Sequence, residues 1–217
     1  NEVIKCIKLI YYSKSNKLSL QSKLKFFAET RHSFGHTALM LSGGATFGKF
    51  HFGVIKALHE YDLFPRTLCG ASIGSLIAAV VCSRPLEEVD RLFDPDYVFK
   101  QPILGYLTSS LWETVQNQLN GKPVLCSKTL ETYAKNMIGE DLTFSDIHVK
   151  FGWNLNITVT DFSNADESRL LNYLTAPNVL VWSAVVASCA IPGMFNPVDL
   201  WMLTENGKKM PYNPSST

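Results

Sequence analysis

The sequence holds little of what several common functions require. Its charged share is 18% and its formal net charge +1, so it offers neither the basic surface a nucleic acid selects nor the charge excess of a disordered chain. Its five cysteines (Cys6, Cys69, Cys82, Cys126, Cys189) are odd in number, scattered and free of any C-x-x-C pair. That pattern excludes a disulfide framework and a zinc site, and it points to a reducing compartment. There is no internal repeat and no low-complexity linker. The first residue is Asn rather than Met, and no charged-then-apolar leader follows, so the chain reads as an internal piece of something longer.

One uncharged run has to be weighed as a membrane span, Val179 to Phe195, "VLVWSAVVASCAIPGMF". It is slightly short for a bilayer, carries Ser183 and Ser188, and ends in Pro192 and Gly193. It therefore reads as a buried helix, with Asn178 as its cap. A core of that kind fits 217 residues that are 46% apolar, enough for one substantial domain. Residues 1–36 are lysine-rich and form an N-terminal helical arm, with a helix expected over Leu18 to Glu29. Residues 37–217 form the main domain.

Within that domain, "TALMLS" reads as a short buried strand. Beyond the glycines that follow, Phe47, Phe50, Val54, Ile55, Leu58 and Tyr61 recur at helical spacing. The pattern then repeats, "RTLCGA" as strand and "SIGSLIAAVVCSR" as helix, and Pro85 opens a further helical segment. Helices are expected over Leu111 to Leu119 and Lys128 to Ile138, the second capped by Ser127 and stopped by Gly139. "WNLNITVTD" and "RLLNYLT" read as partner strands. Strands alternating with helices imply a layered α/β fold.

Two glycine motifs carry the chemistry. From Gly43, "GGATFGK" is a phosphate loop whose last position, Phe50, lacks the hydroxyl that binds magnesium. Residues 70–74, "GASIG", are a G-x-S-x-G pattern placed where a strand turns into a helix. A nucleophile on so sharp a turn needs small neighbours, here Gly70 and Gly74, and Ser72 would then present its hydroxyl above a helix N-terminus. The competing reading is a tight helix–sheet contact with Ser72 as an ordinary N-cap. The loop Gly43, Gly44, Ala45 favours chemistry, because acyl transfer requires main-chain donors aimed at a developing oxyanion.

These residues resemble the patatin-like phospholipase family, in its triacylglycerol lipase branch from yeasts and plants. The resemblance runs through "FFAETRHSFGHTALMLSGGATFGKFHFGVIKAL", "CGASIGSLIAAVV", "LNYLTAPNVLVWSAVVASCAIPGMF" and "PYNPS". It implies a three-layer α/β/α sandwich with a mainly parallel central sheet, and hydrolysis of glycerolipid acyl esters by a serine–aspartate dyad without metal or cofactor. It also implies an intracellular place, cytoplasmic or at a lipid-droplet or membrane surface; it assigns no oligomeric state. Ser72 is similar in position to the family nucleophile, and Gly43, Gly44 and Ala45 to its oxyanion loop.

Two departures stand out. Ala45 and Phe47 replace a commoner glycine and a commoner basic residue, and the family's Asp-Gly pair is absent from the chain. The general base is accordingly expected beyond residue 217. Asp161, at the end of an expected strand, and the histidines His51, His59 and His148 read as structural. A lipid-binding or scaffold protein that keeps the fold without catalysis is the alternative.

Overall fold

A computed structural model describes residues 2–14, 18–35, 37–94, 127–160, 168–190 and 198–212. Asp161, Cys126, the expected helix over Leu111 to Leu119 and most of "AIPGMF" lie outside them. The chain divides into two compact units, Asn1–Thr37 and Ala38–Thr217.

The first unit pairs two helices, α1 (Glu2–Tyr12) and α2 (Leu20–Phe34). Tyr11 meets Phe27 edge-on at 6.3 Å between ring centres. The Lys23 ammonium donates to the carbonyls of Tyr11 and Ser13 at the end of α1. The sequence marked only part of this unit: α2 runs a turn beyond Glu29, and α1 was not expected.

The second unit is built on a four-stranded sheet in the order β1 (Ala38–Leu41), β2 (Thr67–Gly70), β3 (Asn154–Thr160), β4 (Ser168–Leu171). The first three strands are parallel and β4 is antiparallel, the mainly parallel α/β arrangement expected. Parallel strands need crossovers. The first is α3 (Lys49–Glu60), entered through a 3₁₀ turn at Ala45–Gly48; α4 (Ile73–Cys82) begins the second. A 3₁₀ segment at Leu86–Phe93 follows Pro85, where a helical stretch was read. Then come α5 (Ser127–Ile138), α6 (Phe144–Phe151) and α7 (Val181–Cys189). A hairpin of β5 (Trp201–Leu203) and β6 (Lys209–Pro211) closes the described chain.

The core lies on one face of the sheet. Leu41, Gly70, Ile157 and Leu171 stand in one row across the four strands and are all buried. Above them every residue of α4 is buried, as are Val181, Trp182, Ser183, Ala184, Val185, Val186 and Cys189 of α7. Each fully buried Leu, Ile or Val contributes about 1.5–3 kcal/mol. The alternate strand residues face the other way and are half-buried or exposed, Met40 being 76% exposed. Among the described residues this second face is incompletely covered.

The run weighed as a membrane span contains a nine-residue core helix, and no described helix is long and apolar enough to cross a membrane. Its N-cap is Leu180, not Asn178; the Asn178 carbonyl instead accepts from the Leu203 N–H at 2.9 Å, holding the hairpin. In α3 the apolar spacing marks a helix, yet Phe47, Phe50, Val54 and Tyr61 are exposed and Ile55 alone is buried. The face turned to the domain is the one bearing Gly48, Phe52, Ile55 and His59.

Candidate active site

β1 and β2 run side by side with Leu41 opposite Gly70, so the loops leaving them emerge at the same end of the sheet. In open α/β sheets this carboxyl end is where sites form. Here the two loops are also tied together, because the Ala71 N–H donates to the Leu41 carbonyl at 3.1 Å.

Ser72 follows at once, with φ 51° and ψ −126°. Only one other described non-glycine residue, Asp62, has positive φ. A side chain held in such a conformation costs about 1–3 kcal/mol and persists where its surroundings over-determine it. Those surroundings are visible. The Ser72 carbonyl accepts from the Ser75 N–H at 2.9 Å and from the buried Ser75 hydroxyl at 2.6 Å. The Gly74 N–H donates to the Ala71 carbonyl at 2.9 Å. The Ser72 N–H donates to Ser188 Oγ at 2.9 Å. Although Ser72 occupies the N-cap position of α4, its hydroxyl makes no capping bond. The plain N-cap reading is thereby excluded, and the half-buried hydroxyl is left for other work.

The glycines on either side are required by space. A β-carbon at Gly70 would stand 2.4 Å from the Gly74 carbonyl oxygen and 2.5 Å from Ser75 Cα. One at Gly74 would stand 2.2 Å from the Leu41 carbonyl oxygen and 2.7 Å from that of Ser42. Strand, turn and helix therefore close on one another only because both positions lack side chains.

The first loop lies against this turn. A β-carbon at Gly43 would be 3.3 Å from Ser72 Cβ and 4.0 Å from its Oγ. Gly44 has φ 151°, a region other residues rarely enter, and its carbonyl accepts from the Phe47 N–H at 2.9 Å. Ala45 opens the 3₁₀ turn. The main-chain N–H groups of Gly43 and Gly44 have no acceptor among the described residues. His51 reaches back from α3 and donates from Nε2 to the Ser42 carbonyl at 2.9 Å, fixing the loop from behind.

α7 supplies the opposite wall, which sequence reasoning missed. The Ser188 hydroxyl, besides accepting from Ser72, donates to the Thr158 carbonyl at 2.7 Å. Burial pushes the Cys189 thiol up to about 11, with the Ser72 and Ser75 hydroxyls pulling the other way. It stays protonated at neutral pH, and a thiol rather than a thiolate is a poor nucleophile. Of the two groups, Ser72 is the one suited to attack. The only signal for this wall was a pair of serines in an otherwise apolar helix.

The other candidates have structural partners. His59 pairs with Asp90 at 3.1 Å, and His148 stacks on Tyr173 at 3.9 Å while its Nδ1 bonds Asn154 at 3.0 Å. Lys49, the lysine of the phosphate-loop reading, sits over the Phe50 ring at 5.6 Å. No Asp or Glu among the described residues hydrogen-bonds Ser72.

Residues 39–210 match the family model for Patatin-like phospholipase. Triacylglycerol lipase SDP1L of Arabidopsis thaliana is 37% identical over 99% of this chain and 26% of its own length. Triacylglycerol lipase ptl3 of Schizosaccharomyces pombe is 40% identical over 92% of this chain and 41% of its own. Triacylglycerol lipase 4 of Saccharomyces cerevisiae is 35% identical over 95% and 24%. The chain thus spans between a quarter and two fifths of the curated relatives it matches. With a strained serine turn beside a glycine loop at the carboxyl end of a mainly parallel sheet, and with a family match across almost all of its second unit, the chain belongs to the patatin-like phospholipase family.

Proposed function

We propose that this chain is the nucleophile-bearing part of a serine acyl hydrolase that cleaves fatty-acid esters of glycerolipids. The observation that carries the reading is the Ser72 hydroxyl, free of any cap bond on a positive-φ turn and adjacent to Gly43. The names of these three relatives, each a triacylglycerol lipase, support a glycerol ester as substrate; a lipid surface, droplet or membrane, is where such an ester is met, and the scattered cysteines fit an intracellular one.

Ser72 Oγ attacks the ester carbonyl and passes its proton to an aspartate base. The carbonyl oxygen takes up the negative charge, and the Gly43, Gly44 and Ala45 N–H groups stabilise it, with the positive end of α4 beneath. The glycerol alkoxide leaves with the proton from the aspartic acid. Water, deprotonated by the same carboxylate, then attacks the acyl-serine; the Oγ–acyl bond breaks, the proton passes from the aspartic acid to Ser72 Oγ, and the fatty acid is released. The Asp-Gly pair that the resemblance implies is absent from this chain, so the aspartate is assigned to none of its residues and Ser72 is the member of the dyad that the chain supplies.

The test is hydrolysis of a fluorogenic glycerol ester by the intact protein, with a fluorophosphonate probe to mark the nucleophile. Ser72→Ala should lower turnover by at least about a thousandfold and abolish labelling, with melting temperature and binding to lipid vesicles retained. Turnover unchanged by Ser72→Ala would overturn the proposal. Lipid binding by a wild-type protein that neither hydrolyses nor labels would favour a non-catalytic lipid-binding scaffold.

A further inference from the structure

α7 ends against the serine turn in a way that binding and chemistry, as described so far, do not use. The Ser72 N–H is not paired with the neighbouring strand, where the Leu41 carbonyl accepts from the Ala71 N–H at 3.1 Å. Nor can it bond within α4, whose first turn begins after it. Its acceptor is Ser188 Oγ at 2.9 Å, 116 residues away in sequence. The Ser188 hydroxyl has one proton, and that proton is committed to the Thr158 carbonyl on β3 at 2.7 Å. With its donor direction fixed by the sheet, the oxygen turns a lone pair towards Ser72.

From this relay, which rests on the Ser72 reading above, we propose that Ser188 is a positioning residue: it tethers the main chain of the nucleophile to β3 and holds the Ser72 hydroxyl at the angle its reaction needs. Two consequences follow from the same bonds. The Ser72 amide is occupied, so it is not an oxyanion donor, and that duty falls to the Gly43 loop. The next residue, Cys189, is buried at the end of the same helix, so α7 is anchored in the core at the point where it holds the Ser72 main chain. The positive φ of Ser72 makes the tether necessary, since a strained turn keeps its direction only while each of its polar groups is held.

The experiment compares Ser188→Val with Ser188→Thr in the intact protein. The two side chains have the same shape, and only threonine keeps the hydroxyl. Misplacing a reacting group by about an ångström lowers rates roughly a hundredfold. Ser188→Val is therefore expected to lose about that much in kcat and in fluorophosphonate labelling rate, with KM within about twofold of wild type. Ser188→Thr should stay within about threefold in all of them. Amide hydrogen exchange at Ser72 gives a reading independent of activity. It should accelerate at least about tenfold in Ser188→Val and not in Ser188→Thr, because the exchanging N–H loses its acceptor only in the first.

Equal labelling of the two variants, or exchange at Ser72 unchanged by Ser188→Val, would overturn the tether. Failure of the wild-type protein to label at Ser72 would instead sink the hydrolase reading, and the exchange comparison alone would then decide whether Ser188 holds the turn.

Discussion

β1–loop–α3 and β2–loop–α4 are neighbouring copies of one plan, strand, glycine turn, helix, yet they are packed in opposite ways. Every residue of α4 is buried, whereas α3 buries only Ile55 and leaves Phe50, Val54 and Tyr61 exposed. The glycines differ accordingly. A β-carbon at Gly74 would strike the Leu41 carbonyl at 2.2 Å, while one at Gly53, in the middle of α3, would meet nothing within 4 Å. Ser72, the proposed nucleophile, therefore stands on an element clamped from all sides. The donor loop leads into an element attached along a single edge. Strain at Ser72 requires the first kind of support, and a main-chain donor loop needs only the second together with the His51 bond to Ser42.

That contrast can be broken by matched substitutions. Gly74→Ala is expected to cost about 3 kcal/mol, because overpacking against backbone outweighs the better helix propensity of alanine. In a domain of this size the melting temperature should then fall by roughly 6–12 °C in a thermal scan. Gly43→Ala tests the loop. Its β-carbon would stand 3.3 Å from Ser72 Cβ, so the serine must shift slightly while the fold is untouched. Turnover should drop about tenfold with the melting temperature unchanged, and a loss of stability instead would show that the loop is structural. Gly53→Ala should do the reverse of Gly74→Ala and stabilise α3 by about 0.5–1 kcal/mol, read from a denaturant midpoint. Destabilisation there would mean that α3 is covered in solution and that the asymmetry between the two helices is false.

Much of the site was legible because its constraints are local. Gly70, Ser72 and Gly74 fall within five residues, and the spacing alone dictated a turn that tolerates no side chain on either flank. β1, β2 and α4 were legible for the same reason, short apolar runs joined by glycine. α5 was marked by Gly139, whose φ of 115° ends the helix. α6 went unread although its start is encoded: the Thr143 hydroxyl accepts from the Asp146 N–H and the Asp146 carboxylate accepts from the Thr143 N–H, a capping box. The face of α3 was misleading because periodicity gives a helix its stripe without saying what the stripe meets. The Ser188 tether had no local signal at all, since it joins positions far apart in sequence through the sheet.

The fit of Gly74 against the Leu41 carbonyl, with the Ala71 bond beside it, has a mechanical meaning. The hydroxyl and the loop that faces it are riveted to the same two strand ends, so their separation is a constant of the fold and not a variable of the catalytic cycle. Under the proposed function, any rearrangement that admits a bulky ester takes place elsewhere than between Ser72 and Gly43, and inhibitors shaped to that gap would find it already set.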